Sequence, residues 1–199
     1  YRDTDAKFVL FTTKNGVVKK TPLDEYIKTQ KKTGIAAINI REDDELVSVN
    51  LIKDENILFV TSGGYSMRIK AEDISISSRI AIGYKGITLH SDDSVVAALP
   101  IRNNEDSLAI FSMNGMGKKF PVSECPVQNR GGRGLICYKP TNSSGTVVAA
   151  TLISDEDNIL ICGDKTSLCV SATEIPLLGR VSLGNQLIKG SNIVSVSKV

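Results

Sequence analysis

Residues Gln128-Asn129-Arg130-Gly131-Gly132-Arg133-Gly134 place three glycines and two arginines within seven positions, just ahead of an apolar run. Arginine carries a planar fork of donors that fits a phosphate, and glycine lets backbone N–H groups come close to phosphate oxygens. This stretch can therefore recognise an anion, and its glycines also suit a turn between strands. Catalytic chemistry finds little support. The single histidine, His90, lies in a turn-like stretch with Ser91, Asp92 and Asp93 and reads as a surface-loop residue. No nucleophile elbow, P-loop or metal-ligand spacing accompanies it. Asp43-Asp44 and Asp92-Asp93 have the composition of turns. Cys125, Cys137, Cys162 and Cys169 form no C-x-x-C pair and read as small buried thiols of a reducing cytosol. Tyr1, Tyr26, Tyr65, Tyr84 and Tyr138 read as structural or surface residues. No catalytic residue, metal or cofactor is expected in this chain.

The elements that position the arginines follow from an internal repeat. The segments 10–26, 58–74, 109–125 and 161–175 each carry an apolar strand, a turn and a second strand ending near an acidic residue. Gly16, Gly64, Gly115 and, in the fourth place, Lys165 mark the turns, at intervals of 48, 51 and 50 residues. Asn15-Gly16 and Asn114-Gly115 are strong hairpin signals, because both turn positions need positive φ. Behind each hairpin comes a glycine-bearing connector, then a short apolar piece (37–40, 86–89, 135–138, 186–188) and a longer apolar strand (46–52, 95–101, 147–153, 193–199). A short helical turn is expected around Leu23–Tyr26. The alternating pattern predicts an all-β, propeller-like array of four-stranded blades. Its four repeats of about 50 residues fall at 7–53, 54–102, 103–154 and 155–199 of a single domain spanning 1–199.

Composition is compatible with such a domain. The 199 residues are 41% hydrophobic and 23% charged with no Trp, so the core must rest on Val, Ile and Leu. No apolar run approaches the roughly 20 residues that cross a bilayer, and no membrane partner is expected. The start at Tyr1-Arg2-Asp3-Thr4-Asp5 does not resemble a signal peptide. A chain that begins without Met reads as a fragment. A net charge of +2 is too small to imply a nucleic-acid partner by itself, so the placement of the cations decides.

Two columns of cations follow the hairpin turns. One reads Lys20, Arg68, Lys119 and Cys169; the preceding one reads Lys19, Met67, Lys118 and Leu168. Neighbouring strand residues point to opposite faces, and Met67 and Leu168 assign the second of these columns to the interior. Lys20, Arg68 and Lys119 are thus expected to face solvent. Counting back from Ile38 and Ile136 sets Gln30-Lys31-Lys32-Thr33-Gly34 against Gln128–Gly132, and the other connectors supply Arg79, Lys85 and Arg180. Cations at one place on successive blades make a stripe that can follow a duplex through its phosphates. On charge alone, a solvated face is an equally good reading.

The stretch Gln128–Gly134 resembles the gyrase A box, a heptapeptide of Gln, basic, Arg, Gly, Gly, basic and Gly. Together with "NGVVKKTPLDEY", "IAAINIREDDELVSV" and "GYKGITLHSDDSVV", it makes nearly the whole chain resemble the C-terminal domain of the A subunit of bacterial DNA gyrase and topoisomerase IV. The resemblance implies a β-pinwheel whose blades exchange strands and whose rim binds and bends duplex DNA, in support of supercoiling or decatenation by an attached catalytic core. It carries Gln128, Arg130, Gly131, Gly132, Arg133 and Gly134 over as DNA-binding residues. The implied partners are duplex DNA, the rest of the A subunit, plus the B subunit, in the bacterial cytoplasm at the nucleoid. ATP and Mg are expected only in the rest of the holoenzyme, and the cleaving tyrosine in another domain.

The chain departs from the pattern in two ways. Asn129 replaces the usual cation, and the box lies in the third repeat whereas the family's main box belongs to the first blade. Either the four repeats match the third to sixth of a longer array, or the array itself is shorter. Lacking the turn glycine and the cation, the fourth repeat reads as a capping blade. The alternative function is a propeller-type protein-interaction module.

Overall fold

The computed structural model describes residues 5–28 and 33–199. The first repeat gives strands β1 (Phe8–Thr13), β2 (Val17–Pro22) and β3 (Leu46–Ile52), with one helical turn, α1 (Asp24–Ile27), after β2. In the second repeat lie β4 (Asn56–Thr61), β5 (Tyr65–Ile69), β6 (Tyr84–Lys85) and β7 (Val95–Ile101). The third supplies β8 (Ser107–Ser112), β9 (Met116–Pro121), β10 (Leu135–Ile136) and β11 (Val147–Ile153). Last come β12 (Asn158–Gly163), β13 (Ser167–Ser171), β14 (Asn185–Gln186) and β15 (Ile193–Lys198). Single 3-10 turns at Ala71–Asp73, Val122–Glu124 and Ala172–Glu174 follow β5, β9 and β13.

Among the described residues these strands make three four-stranded sheets and one three-stranded sheet, in the orders β3-β1-β2-β6, β10-β5-β4-β7, β11-β8-β9-β14 and β13-β12-β15. The outermost strand of each four-stranded sheet comes from the next repeat: β6 pairs β2, β10 pairs β5 and β14 pairs β9. The all-β blade expectation therefore holds with strands exchanged between neighbours. Two of its details change. Residues 37–40 form no strand, since no hairpin before them among the described residues offers an edge, and β13 has only β12 beside it. At the other side of each sheet, β3, β7, β11 and β15 contact one another in sequence, so they form the inner layer and β6, β10 and β14 the rim.

Core residues lie between consecutive sheets. Along β4, Ile57 and Phe59 pack with Leu10, Val18 and Ile52 of the first sheet, whereas Leu58 and Val60 pack with Leu108, Ile110 and Phe120 of the third. Likewise Ala109 and Phe111 face the fourth sheet through Ile159 and Ile161. Period-2 alternation thus serves two interfaces, which is why these strands read as continuous apolar runs. A register shift recurs at the same place in each sheet, at Thr12/Thr13, Val60/Thr61, Val147/Ala149 and Cys162/Gly163.

Each connector is docked on the hairpin of the repeat before it. The carbonyl of Gly64 accepts from the N–H groups of Cys137 and Tyr138 at 2.8 and 3.0 Å, and Gly16 and Gly115 accept in the same way from Gly86/Ile87 and Leu187/Ile188. A Cβ at Gly64 would lie 2.2 Å from the Tyr138 carbonyl oxygen, and φ there is +80°. Glycine is required at this turn for its backbone angle and for the close approach.

Candidate nucleic-acid interface

The connectors run from the 3-10 turns to the rim strands and share one local geometry. Ala81, Gly132 and Ser182 donate their N–H groups three residues back, to the carbonyls of Ser78, Asn129 and Gly179. The turn ends on Gly83, Gly134 and Gly184, with φ of +108°, +76° and +84°. Gly34 has φ of +77° and matches Gly134, so the sequence count that sets it against Gly132 is two residues out. With no hairpin beneath it, Gly34 has nothing within 4 Å of a built Cβ, whereas Gly134 meets the Ser66 carbonyl oxygen at 2.7 Å. Lys31 and Lys32 lie outside the described residues.

Arg79, Arg130 and Arg180 occupy equivalent places four residues before these glycines. Each is half-buried and donates through Nη1 to the carbonyl of the preceding connector: Arg79 to Ala36, Arg130 to Lys85 and Arg180 to Ile136. Arg130 also donates through Nε to Asp73 and lies 5.7 Å from the Tyr84 ring centroid. The arginines therefore tie neighbouring connectors together as well as lining the rim. Around Arg130, the Gln128 N–H donates to the Arg68 carbonyl and the Gly131 N–H to the Gly86 carbonyl, each at 2.7 Å. Arg133 is exposed and makes no hydrogen bond or ion pair among the described residues, and Lys85 is likewise exposed. Hydrophobic residues stand where Arg133 does in the second and fourth connectors, Ile82 and Leu183, both exposed.

The lysine columns correct the expectation from alternation. Lys20 and Lys119 are buried, not solvent-facing, and donate to the Ala71 and Ala172 carbonyls of the next repeat at 2.5 and 2.9 Å. Lys119 adds an ion pair with Asp155 at 2.5 Å. Half-buried Arg68, in the same column, donates to Asn104 at 2.7 Å. The other column is buried as well. Lys19 donates to the Ala37 and Arg79 carbonyls, both at 2.6 Å, and Lys118 to the Gly179 and Arg180 carbonyls at 3.0 and 2.5 Å. Both faces of β2 and β9 are covered, one by the next sheet and the other by the next connector, so no column is left for solvent.

Burial drives both Lys19 and Lys118 down to about 8, and the guanidinium charges of Arg79 and Arg180 act in the same direction. Aromatic faces offset part of that cost, with Phe11 4.8 Å from Lys19 and Phe120 5.1 Å from Lys118. Strand alternation assigns these two lysines to the interior and gives them no site role. The signal that could have found them is a lysine at a fixed place in β2 and β9 where β5 has Met67.

The remaining polar groups serve the turns. Asp93 accepts from Ser62 Oγ and from the Gly63 and Ser94 N–H groups, and Asp44 from those of Asn15 and Glu45. His90 is half-buried, its ring stacked on Tyr65 with centroids 4.0 Å apart, and so is not a plain loop residue. Cys125 and Cys137 are buried as expected, but Cys162 is half-buried and Cys169 exposed. Among the described residues no cluster of His, Cys, Asp and Glu is arranged to hold a metal. No helix among them is long and apolar enough to cross a membrane.

Comparison with known proteins bears on this arrangement. The family model described as "DNA gyrase C-terminal domain, beta-propeller" matches residues 7–53, 55–102 and 106–154. The A subunit of DNA gyrase from Lawsonia intracellularis is 37% identical over 191 residues, which cover 94% of this chain and 23% of that relative. The chain thus spans under a quarter of the length of the curated relatives it matches. A crystal structure of the C-terminal domain of DNA topoisomerase IV superposes with a TM-score of 0.93 at 26% identity, covering 100% of this chain and 64% of that one. For a structure of the DNA gyrase A C-terminal domain the values are 0.87, 28%, 98% and 66%.

Proposed function

Because the chain belongs to the DNA gyrase C-terminal domain family, we propose that its rim binds duplex DNA and bends it. The observation that carries this reading is the recurrence of Arg79, Arg130 and Arg180 at one place per connector, with exposed Arg133 and Lys85 among them. Side chains so spaced along a curved edge can follow phosphates without reading bases. Gln128 and Gly131–Gly134 give the box connector its shape, with the Gln128 N–H on the Arg68 carbonyl, while Lys20 and Lys119 hold the turns at Ala71 and Ala172. The domain is non-catalytic and cofactor-free. It works when joined to the rest of a topoisomerase A subunit, with its B subunit, where ATP and Mg serve the reaction, in the bacterial cytoplasm.

A titration of duplex at several salt concentrations, paired with a bending assay, tests this. Neutralising about five phosphates should give a slope of log K against log salt of about −4 to −5. A slope near zero overturns the rim reading. The second reading, a protein-docking rim, draws on the exposed Ile80, Val181 and Leu183. It predicts a defined protein partner and unchanged bending when the rim arginines are replaced.

A further inference from the structure

Two of the three described rim connectors rest on a buried lysine and one on a methionine, and this difference decides where their backbone amides point. Lys19 draws the Arg79 carbonyl inward, and Lys118 draws in that of Arg180 and also bonds that of Gly179, which the Ser182 N–H and Oγ hold as well. With no cis peptide among the described residues, the N–H of each following residue points the opposite way from that carbonyl. The amides turned away from the ammonium groups are those of Ile80, Arg180 and Val181, and none of them has a hydrogen-bond partner among the described residues. Ile80 and Val181 are exposed residues, at 55% and 59%. In the box connector the equivalent amide, that of Gly131, is bonded to the Gly86 carbonyl, and the residue beneath is Met67, 3.3 Å from a Cβ built on Gly132.

We infer that the outward amides of Ile80, and of Arg180 with Val181, together with the unused guanidinium donors of Arg79 and Arg180, form two phosphate-binding sites held open from beneath by Lys19 and Lys118. At Arg180 and Val181 successive outward N–H groups beside an arginine form an anion-binding concavity, and at Ile80 one N–H stands beside the Arg79 guanidinium. The ligand is a phosphodiester of the duplex backbone, so the inference rests on the function proposed above and deepens it. The lysines are positioning residues: they touch carbonyl oxygens and not the ligand. Contact is thereby divided between two kinds of connector, one offering backbone amides and one offering the free side chain of Arg133.

The test is an amide-resolved NMR titration of the 199-residue chain with inorganic phosphate, with a short duplex, and with chloride at matched ionic strength. Phosphate and duplex, but not chloride, should shift the Ile80, Arg180 and Val181 amides and leave those of Ala81 and Ser182, which are already bonded, in place. Lys118→Met should abolish the response at Val181 while keeping it at Ile80, and Lys19→Met should do the reverse. Each variant should weaken duplex binding by about 3- to 10-fold, the loss of one to two good phosphate contacts. Equal shifts in chloride, an unchanged Val181 response in Lys118→Met, or loss of all three responses in both variants overturns the proposal. Duplex binding without shifts at these amides also overturns it and leaves the functional reading standing, whereas absence of duplex binding overturns both.

Discussion

The Lys118 ammonium lies 2.5 Å from the Arg180 carbonyl oxygen, although β9 belongs to the third repeat and Arg180 to the fourth. The cation at the heart of one sheet fixes the connector that the next repeat lays along its rim. Lys19 and Arg79 stand in the same relation two repeats earlier, at 2.6 Å. Rim geometry and sheet packing are therefore one system.

That coupling predicts the effect of truncation. Lys118→Ala removes the stem packed beside Phe120 and leaves the Arg180 carbonyl without its donor, while the Gly179 carbonyl keeps Ser182. A cavity plus an unsatisfied acceptor should lower stability by about 2–5 kcal/mol in denaturant unfolding. Lys118→Met keeps most of the volume, as Met67 does in β5, and should lose less. Equal losses for the two variants would mean that the packed stem matters little and that the lost carbonyl contacts account for the effect.

Titration of the same residues sets a pH dependence with a defined sign. Lys19 and Lys118 fall to about 8 in the folded chain, whereas unfolded lysine titrates near 10.5. Above pH 8 the native state releases protons that the unfolded state keeps, so stability rises with pH from about 8 towards 9. Burial pushes Cys125 up and Cys137 up to about 12, so above about pH 9 the unfolded state loses thiol protons first, which offsets the rise until the unfolded lysines deprotonate near 10.5, and stability falls beyond that. Denaturation midpoints across about pH 7–11 should show this rise, levelling and fall. The double variant Lys19→Met/Lys118→Met should lose the rise alone.

Much of the fold was legible because its signals are local. The spacing of Gly16, Gly64 and Gly115 and the Asn-Gly turns marked the hairpins, and the matching apolar runs at 95–101 and 147–153 marked the inner strands. What stayed hidden depends on which surfaces end up covered. Alternation separates Lys19 from Lys20 but cannot say that both faces of β2 are buried. The box connector was legible as a turn at the rim. That Arg130 ties two connectors while Arg133 stays free is set by partners 45 residues away, such as the Lys85 carbonyl.

Hairpin and connector glycines should separate by what surrounds them. Gly64→Ala places a Cβ 2.2 Å from the Tyr138 carbonyl oxygen in a backbone with φ of +80°. It should displace β10 from β5 and cost well above the roughly 1 kcal/mol of left-handed strain alone. Gly131→Ala has φ of +82° but nothing within 4 Å, so it should cost only that strain. Thermal unfolding of the two variants checks the ranking, and amide exchange at Cys137 and Tyr138 should quicken only in Gly64→Ala.

The two arginines of the box should differ in kind. Arg130 donates to the Asp73 and Lys85 carbonyls and lies over Tyr84, so Arg130→Ala removes links between the second and third connectors and should lower stability by about 1–3 kcal/mol. Arg133 has no partner to lose among the described residues, so Arg133→Ala should leave the unfolding midpoint within about 0.5 kcal/mol of the parent. In duplex titrations Arg133→Ala should reduce affinity and flatten the salt slope by about one unit, the signature of one lost phosphate contact. Arg130→Lys separates charge from geometry. It keeps the cation but cannot reproduce the Nε and Nη1 contacts together, and should retain the salt slope while losing stability. If Arg133→Ala keeps the parent's affinity and slope while Arg130→Lys lowers both, contact with the duplex runs through connector shape and not through the free guanidinium.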